Sequence, residues 1–202
     1  MQNKGANFWL MGICVVMFVL QLVIPGFTEA LLMNKFALPE VWRFVTAIFL
    51  HGGFSHLLLN MFAMLMFGMM LEHTIGTKKY LLVFFLTGIL ANIISYPFYD
   101  SALGASGAIF GLIGAMVMLK PGVTIWAFGM PMPLFIAGIL WAFVDIIGVF
   151  VPSGVGNIAH LSGMGLGLIL GAKYRNWAMR EERKPRVELD ERYVQSWENA
   201  NL

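Results

Sequence analysis

Charge is what this 202-residue chain has least of: Lys, Arg, Asp and Glu make up 12% of it, against roughly 25% in an ordinary soluble domain. That scarcity places it outside the soluble classes. Cysteine is all but absent as well. The single Cys14 lies inside an apolar run, which excludes an intrachain disulfide and leaves the redox compartment open. Its expected role is that of a small packed or lipid-facing hydrophobe. No stretch has the character of a nucleic-acid binder, and no nucleic-acid partner is expected. What the chain does have is apolar surface, with 59% hydrophobic residues and a mean hydropathy of +0.77, the composition of an integral membrane protein.

Stretches of about 20 apolar residues cross a bilayer as helices, because a helix satisfies its own backbone polar groups without water. Pro, Gly and charged residues divide the chain into six apolar segments, predicted at 8–27, 54–72, 80–98, 106–119, 133–150 and 157–174. The expected fold class is an all-α membrane protein, a bundle of six transmembrane helices with both ends on one side. The first segment has the look of a signal peptide, but its length of roughly 18 to 20 residues exceeds the usual apolar core. No clear small-x-small cleavage site follows it, so it is expected to stay as a span.

Lys and Arg set the expected orientation. A cytoplasmic N-terminus puts Lys4, Lys78, Lys79, Lys120, Lys173, Arg175, Arg180, Arg183, Lys184, Arg186 and Arg192 on that face. Only Lys35 and Arg43 of the thirteen basic residues are left outside. Two units are expected, a six-span domain over 1–176 and a short charged cytoplasmic tail over 177–202. Between the first two segments, "LLMNKFALPEVWRFVTAIFLH" is apolar yet too interrupted by Pro39 and charges to span. It is predicted to be a structured loop at the outer interface, with Trp42 at headgroup level.

The stretch "GASGAIFGLIGAM" places one hydroxyl, Ser106, among glycines and apolar residues. Gly107, Gly111 and Ala115 form a small-residue ridge of the kind by which membrane helices pack, so on this window alone Ser106 reads as packing filler. Its company changes the reading. The second, fourth and sixth segments run in one direction, and near their outer ends stand His56 with Asn60, then Ser106, then His160. Polar residues in spans are costly and face a bundle interior or a watered cavity. His56 and Asn60 are four apart and share a helix face. Ser106 precedes one ridge and His160 precedes another, Gly163, Gly167 and Gly171. Close approach along the two ridges brings hydroxyl and imidazole to the same level, as a nucleophile and its general base require.

The fourth segment is short, and its 14 residues at 1.5 Å give roughly 21 Å against a hydrocarbon core of about 30 Å. With Lys120 at the cytoplasmic surface, Ser106 is recessed below the outer one, and "YPFYDSALGA" must line water or be buried in protein. Amides at the start of this helix, that of Ser106 included, point at the site with the positive end of the helix dipole. His56 and Asn60 add side-chain donors for an oxyanion.

These residues together resemble the rhomboid family of intramembrane serine proteases. The resemblance rests on "WR" at Trp42 and Arg43, on His51, His56 and Asn60 in order, on "GASG" from Gly104 to Gly107, and on "AHLSGMGLG" around His160. It covers nearly all of the six-span region and is closest to the compact bacterial members. It implies a serine endopeptidase with a Ser106–His160 dyad acting through an acyl-enzyme, and an oxyanion hole of His56, Asn60 and the Ser106 amide. Gly104 would permit the tight turn before the nucleophile, and His51 would have a structural role beside the pocket. Gly107 belongs to the ridge. Some members carry Tyr where this chain has Phe110, which packs against His160 without offering a hydroxyl. Glu72 and Gly76 look like family structural positions.

The implied partners are single-span transmembrane protein substrates within the lipid bilayer, cut near the outer end of their helix after it unwinds. Entry between the second and fifth segments is implied in the same way. The implied location is the bacterial cytoplasmic membrane, multi-pass. Neither a cofactor nor a metal is expected, and the oligomeric state is left open. Asp145, in the fifth segment, receives no catalytic role from the resemblance and is read as a structural hydrogen bond or cap.

Two alternatives belong to other classes. One is a non-catalytic rhomboid-like protein that binds membrane clients, although such relatives typically lack the Ser or the His. The other is a transporter or metal channel built on His51, His56 and His160, in which Asn60 would be a poor ligand.

Overall fold

The computed structural model describes residues 5–34, 38, 40–151, 154–182 and 191–201. Helix α1 (Ala6–Val23) stops at Pro25 and Gly26, the latter with φ of 79°, and a short α2 (Phe27–Leu31) follows. Strand β1 (Met33–Asn34), α3 (Arg43–Thr46) and a 3-10 turn (Ala47–Phe49) make up the loop before α4 (Phe54–Ala63). A π-helical turn (Met64–Gly68) joins α4 to α5 (Met69–Ile75), and Gly76 separates α5 from α6 (Thr77–Ser95). After β2 (Ser101–Ala102) come α7 (Ser106–Leu119), the hairpin β3 (Thr124–Ala127) and β4 (Met130–Pro133), α8 (Leu134–Phe150), α9 (Asn157–Glu182) and α10 (Glu191–Asn201).

The protein is mostly helical, and three of its helices are long and apolar enough to cross a membrane: Ala6–Val23, Phe54–Ile75 and Thr77–Phe98. Helices α7 and α8 are apolar but shorter. The expected segments correspond to these helices with shifted ends. The first closes at Val23 rather than 27, because Ile24, Pro25 and Gly26 break it. The third starts at Thr77, since Gly76 with φ of 80° ends α5 and opens α6 in one residue. The sixth runs on to Glu182, past residue 176, where Lys79 of α6 lies 3.3 Å over the Trp177 ring and ties the extension down. Lys4, Lys35, Pro39, Arg183, Lys184 and Arg186 lie outside the described residues.

Helix α7 is the centre of the molecule, buried along most of its length, which is why it is apolar all round. It makes its most extensive contact with α9. A Cβ on Gly163 would stand 2.0 Å from the Gly107 carbonyl oxygen, one on Gly167 would stand 2.0 Å from that of Gly111, and one on Gly171 would stand 2.6 Å from that of Ala115. The two ridges therefore meet in register, and α7 and α9 run parallel. Only glycine allows backbones this close. On its other side, Gly111 leaves room for Thr87 of α6.

The described residues of the loop between α1 and α4 are held by hydrogen bonds as well as by apolar packing. Arg43 donates to the Glu29 and Leu32 carbonyls at 2.7 and 2.9 Å and pairs with Glu40. Gln21 of α1 accepts from the His51 amide at 2.9 Å and donates to its carbonyl at 3.1 Å. Asn92 of α6 donates to the Phe44 carbonyl at 2.9 Å. Strands β1 and β2 pair antiparallel, Met33 with Ala102 and Asn34 with Ser101, which fastens this loop to the one that precedes Ser106. The β3–β4 hairpin turns on Phe128 and Gly129, both at positive φ, as a two-residue turn of this kind demands.

Candidate active site

One cavity of about 1230 Å³ is lined by Gly52, His56, Asn60, Gly104, Ser106, Gly107, Phe110 and His160, among others. Apart from His51, the structure thus brings every site residue named from the sequence to one space. The volume exceeds that of an ordinary small-molecule pocket.

Ser106 opens α7, so the free amides of the first turn face the cavity end of the helix. Gly104 just before it has φ of 127°, a conformation that L side chains rarely adopt, and its amide donates to the Ala47 carbonyl at 2.8 Å. A Cβ there would strike the His56 ring at 2.7 Å, so glycine is required twice over.

His56 Nδ1 accepts from the Gly52 amide at 3.4 Å, which puts the proton of the neutral ring on Nε2 and makes that nitrogen a donor. Asn60 Nδ2 donates to the His56 carbonyl at 2.8 Å, one turn back, and keeps its second N–H for other use. His51 lies behind the cavity wall, 1% exposed, with its ring edge-on to His56 at 5.2 Å between centroids. Burial, helped by the nearby His56, pushes its imidazole down to about 4, so it stays neutral.

His160 stands one turn inside the start of α9, where the Tyr99 hydroxyl accepts from the Ile158 amide at 3.0 Å. Its ring stacks on Phe110 with centroids 4.2 Å apart and planes within 5°. Its Nδ1 lies 3.0 Å from Asp145 Oδ1. Among the described contacts no hydrogen bond joins Ser106 to His160, a bond that in many hydrolases is long until substrate binds. No three His, Cys, Asp or Glu side chains among the described residues are grouped as metal ligands.

Sequence reasoning missed Tyr99, Gln21 and the partner of Asp145. A signal for the last two was present, since Gln21 and Asp145 are polar residues within apolar runs.

A helical membrane protein with a recess lined by serine, histidine and asparagine is the class these features define. The Rhomboid domain family model matches residues 38–177. The chain is 37% identical over 137 residues to the putative rhomboid protease YdcA of Bacillus subtilis (strain 168), covering 65% of this chain and 66% of that protein. It is 34% identical over 134 residues to RHOMBOID-like protein 6, mitochondrial, of Arabidopsis thaliana, with 65% and 43% covered. To Rhomboid-like protease 3 of Toxoplasma gondii it is 44% identical over 79 residues, with 38% and 30% covered. The chain thus spans from under a third to about two thirds of the length of these relatives. It belongs to the rhomboid family, and it is an integral membrane protein.

Proposed function

We propose that this chain is an intramembrane serine endopeptidase that cuts transmembrane substrates by a Ser106–His160 dyad. The observation that carries the reading is the joint placement of Ser106, His160, His56 and Asn60 on one cavity, with Phe110 stacked on the base. Family membership and relatives named as proteases support it.

In the proposed reaction Ser106 Oγ attacks the peptide carbonyl carbon while His160 Nε2 takes its proton. The π electrons move onto oxygen, and the oxyanion is met by the Ser106 amide, His56 Nε2–H and the free Asn60 N–H. Collapse breaks the C–N bond, with His160 returning the proton to the leaving amine. Water then hydrolyses the acyl-enzyme by the same exchange. The proposal includes six spans with both termini cytoplasmic in a bacterial inner membrane, the domain over 1–176, a recessed α7, and single-span substrates cut near the outer face. Entry between α4 and α8 fits a cavity that is walled by Phe62 and Met66 on one side and Trp141 on the other.

Labelling of the detergent-solubilised chain with a fluorophosphonate tests the reading. Wild type should label, and Ser106→Ala and His160→Ala should not, with unchanged thermal stability for Ser106→Ala. Well-folded wild type that resists both this probe and a second class of electrophile would instead favour a client-binding protein.

A further inference from the structure

Asp145 is the polar residue of the site region that the proposed dyad leaves without a task. It sits in α8, where Phe143, Val144, Ile146 and Ile147 are all exposed and apolar, as lipid-facing residues are. The carboxyl itself is turned inward and 4% exposed. A buried carboxylate in a span is costly unless it is paired. Among the described residues this one has a single partner, His160 Nδ1 at 3.0 Å, and its Oδ2 has none.

The approach of the two helices is built for that contact. One turn beyond Asp145, a Cβ on Gly148 would stand 2.6 Å from Asn157 Oδ1, so glycine lets α8 close on the first turn of α9. Phe110 covers a face of the imidazole and leaves the ring edge as its polar outlet. On that edge a carboxylate oxygen that accepts from Nδ1–H would hold the ring proton on Nδ1 and leave the Nε2 lone pair toward the cavity. A hydroxyl would tether α8 to α9 without dictating the tautomer, and an amide that donates to Nδ1 would favour the opposite one.

We propose that Asp145 is the positioning residue of the base, a carboxylate that orients the His160 ring behind the Ser106–His160 dyad. The inference rests on the hydrolase reading above. In the acylation step the proton leaving Ser106 Oγ goes to His160 Nε2, and Nδ1–H stays bonded to Asp145. The carboxylate faces the imidazolium and takes up no proton itself.

The test uses the full chain, with three readouts: the fluorophosphonate labelling rate as a function of probe concentration, thermal stability, and the ring 15N shifts of His160. Asp145→Asn is isosteric but able to donate to Nδ1. It should lower the limiting labelling rate on the order of 100-fold with the half-saturating probe concentration unchanged. The His160 ring proton should move from Nδ1 toward Nε2, and the same move should appear in a Ser106→Ala background that cannot label. A mere tether predicts the opposite pattern, lower stability with an unchanged limiting rate and tautomer, and that result overturns the proposal. If Asp145→Asn does not fold, wild type decides alone, because a His160 protonated on Nε2 is incompatible with the role. Unreactive wild type would remove the hydrolase reading, whereas reactive wild type with an equally reactive Asp145→Asn would remove only the positioning role of Asp145.

Discussion

Glu72 and Asp145 are both carboxylates shut inside an apolar bundle, each 4% exposed, and their surroundings satisfy them in opposite ways. Glu72 accepts from the amides of Gly5, Ala6 and Asn7 at 3.2, 3.1 and 3.1 Å and from the Thr77 hydroxyl at 2.7 Å. It closes the first turn of α1, where amides have no helical partner and negative charge is welcome. The network continues through Asn7, which donates to the Met64 carbonyl and accepts from Tyr80. Among the described residues Asp145 has one bond, to an imidazole, and its Oδ2 has no partner. A charge shared among several donors ties elements together. A charge aimed at one titratable ring orients that ring. Equal burial therefore says little about a buried acid's role, and the number and kind of its donors say much more.

The ridge between α7 and α9 holds the helix that carries Ser106 against the one that carries His160, the partner of Asp145, so breaking it should have the largest effect. Gly163→Val sets a side chain against the Gly107 backbone and should cost about 3 kcal/mol, with labelling lost as the helices part. Thermal melts and probe labelling check both, and a Gly163→Val protein as stable and reactive as wild type would contradict the contact described. Glu72→Gln comes next. Replacing an acceptor with an amide opposite three N–H donors should cost about 2 kcal/mol, while labelling per folded molecule holds. Should it slow labelling as much as Asp145→Asn does, the distinction between tying and orienting acids would fail. The smallest effect is expected at Gly165, where an added Cβ meets nothing within 4 Å. Gly165→Ala should change stability by about 0.5 kcal/mol, in the stabilising direction, because a helix glycine with room for a methyl gains helix propensity on the change to alanine.

Helix limits were legible where punctuation is local. The span of α7, Ser106 to Leu119, follows from Lys120 and Pro121 at one end and the Gly104 turn at the other. The ridges were legible for the same reason, since a four-residue spacing of small residues shows in any short window. Contacts that join distant residues were not. The π-helical turn has no mark in "MLMFG", because what meets its Met64 carbonyl is the amide of Asn7, 57 positions earlier. The partner of Asp145 was hidden likewise, as two helices and the loop between them set which way each side chain turns. Strands β1 and β2 are two residues each and exist only as a pair.

The α7–α9 contact also separates two kinds of heritable change. Its spacing is set by glycine against backbone carbonyl, with no side-chain torsion in between. The far walls of the cavity belong to other elements, Leu59 and Phe62 on α4, Trp126 on β3 and Trp141 on α8. Substitutions on those walls reshape the space offered to an occupant and leave the register of Ser106 and His160 as it was. What the recess accepts and how its reactive groups line up are thus free to drift on separate histories.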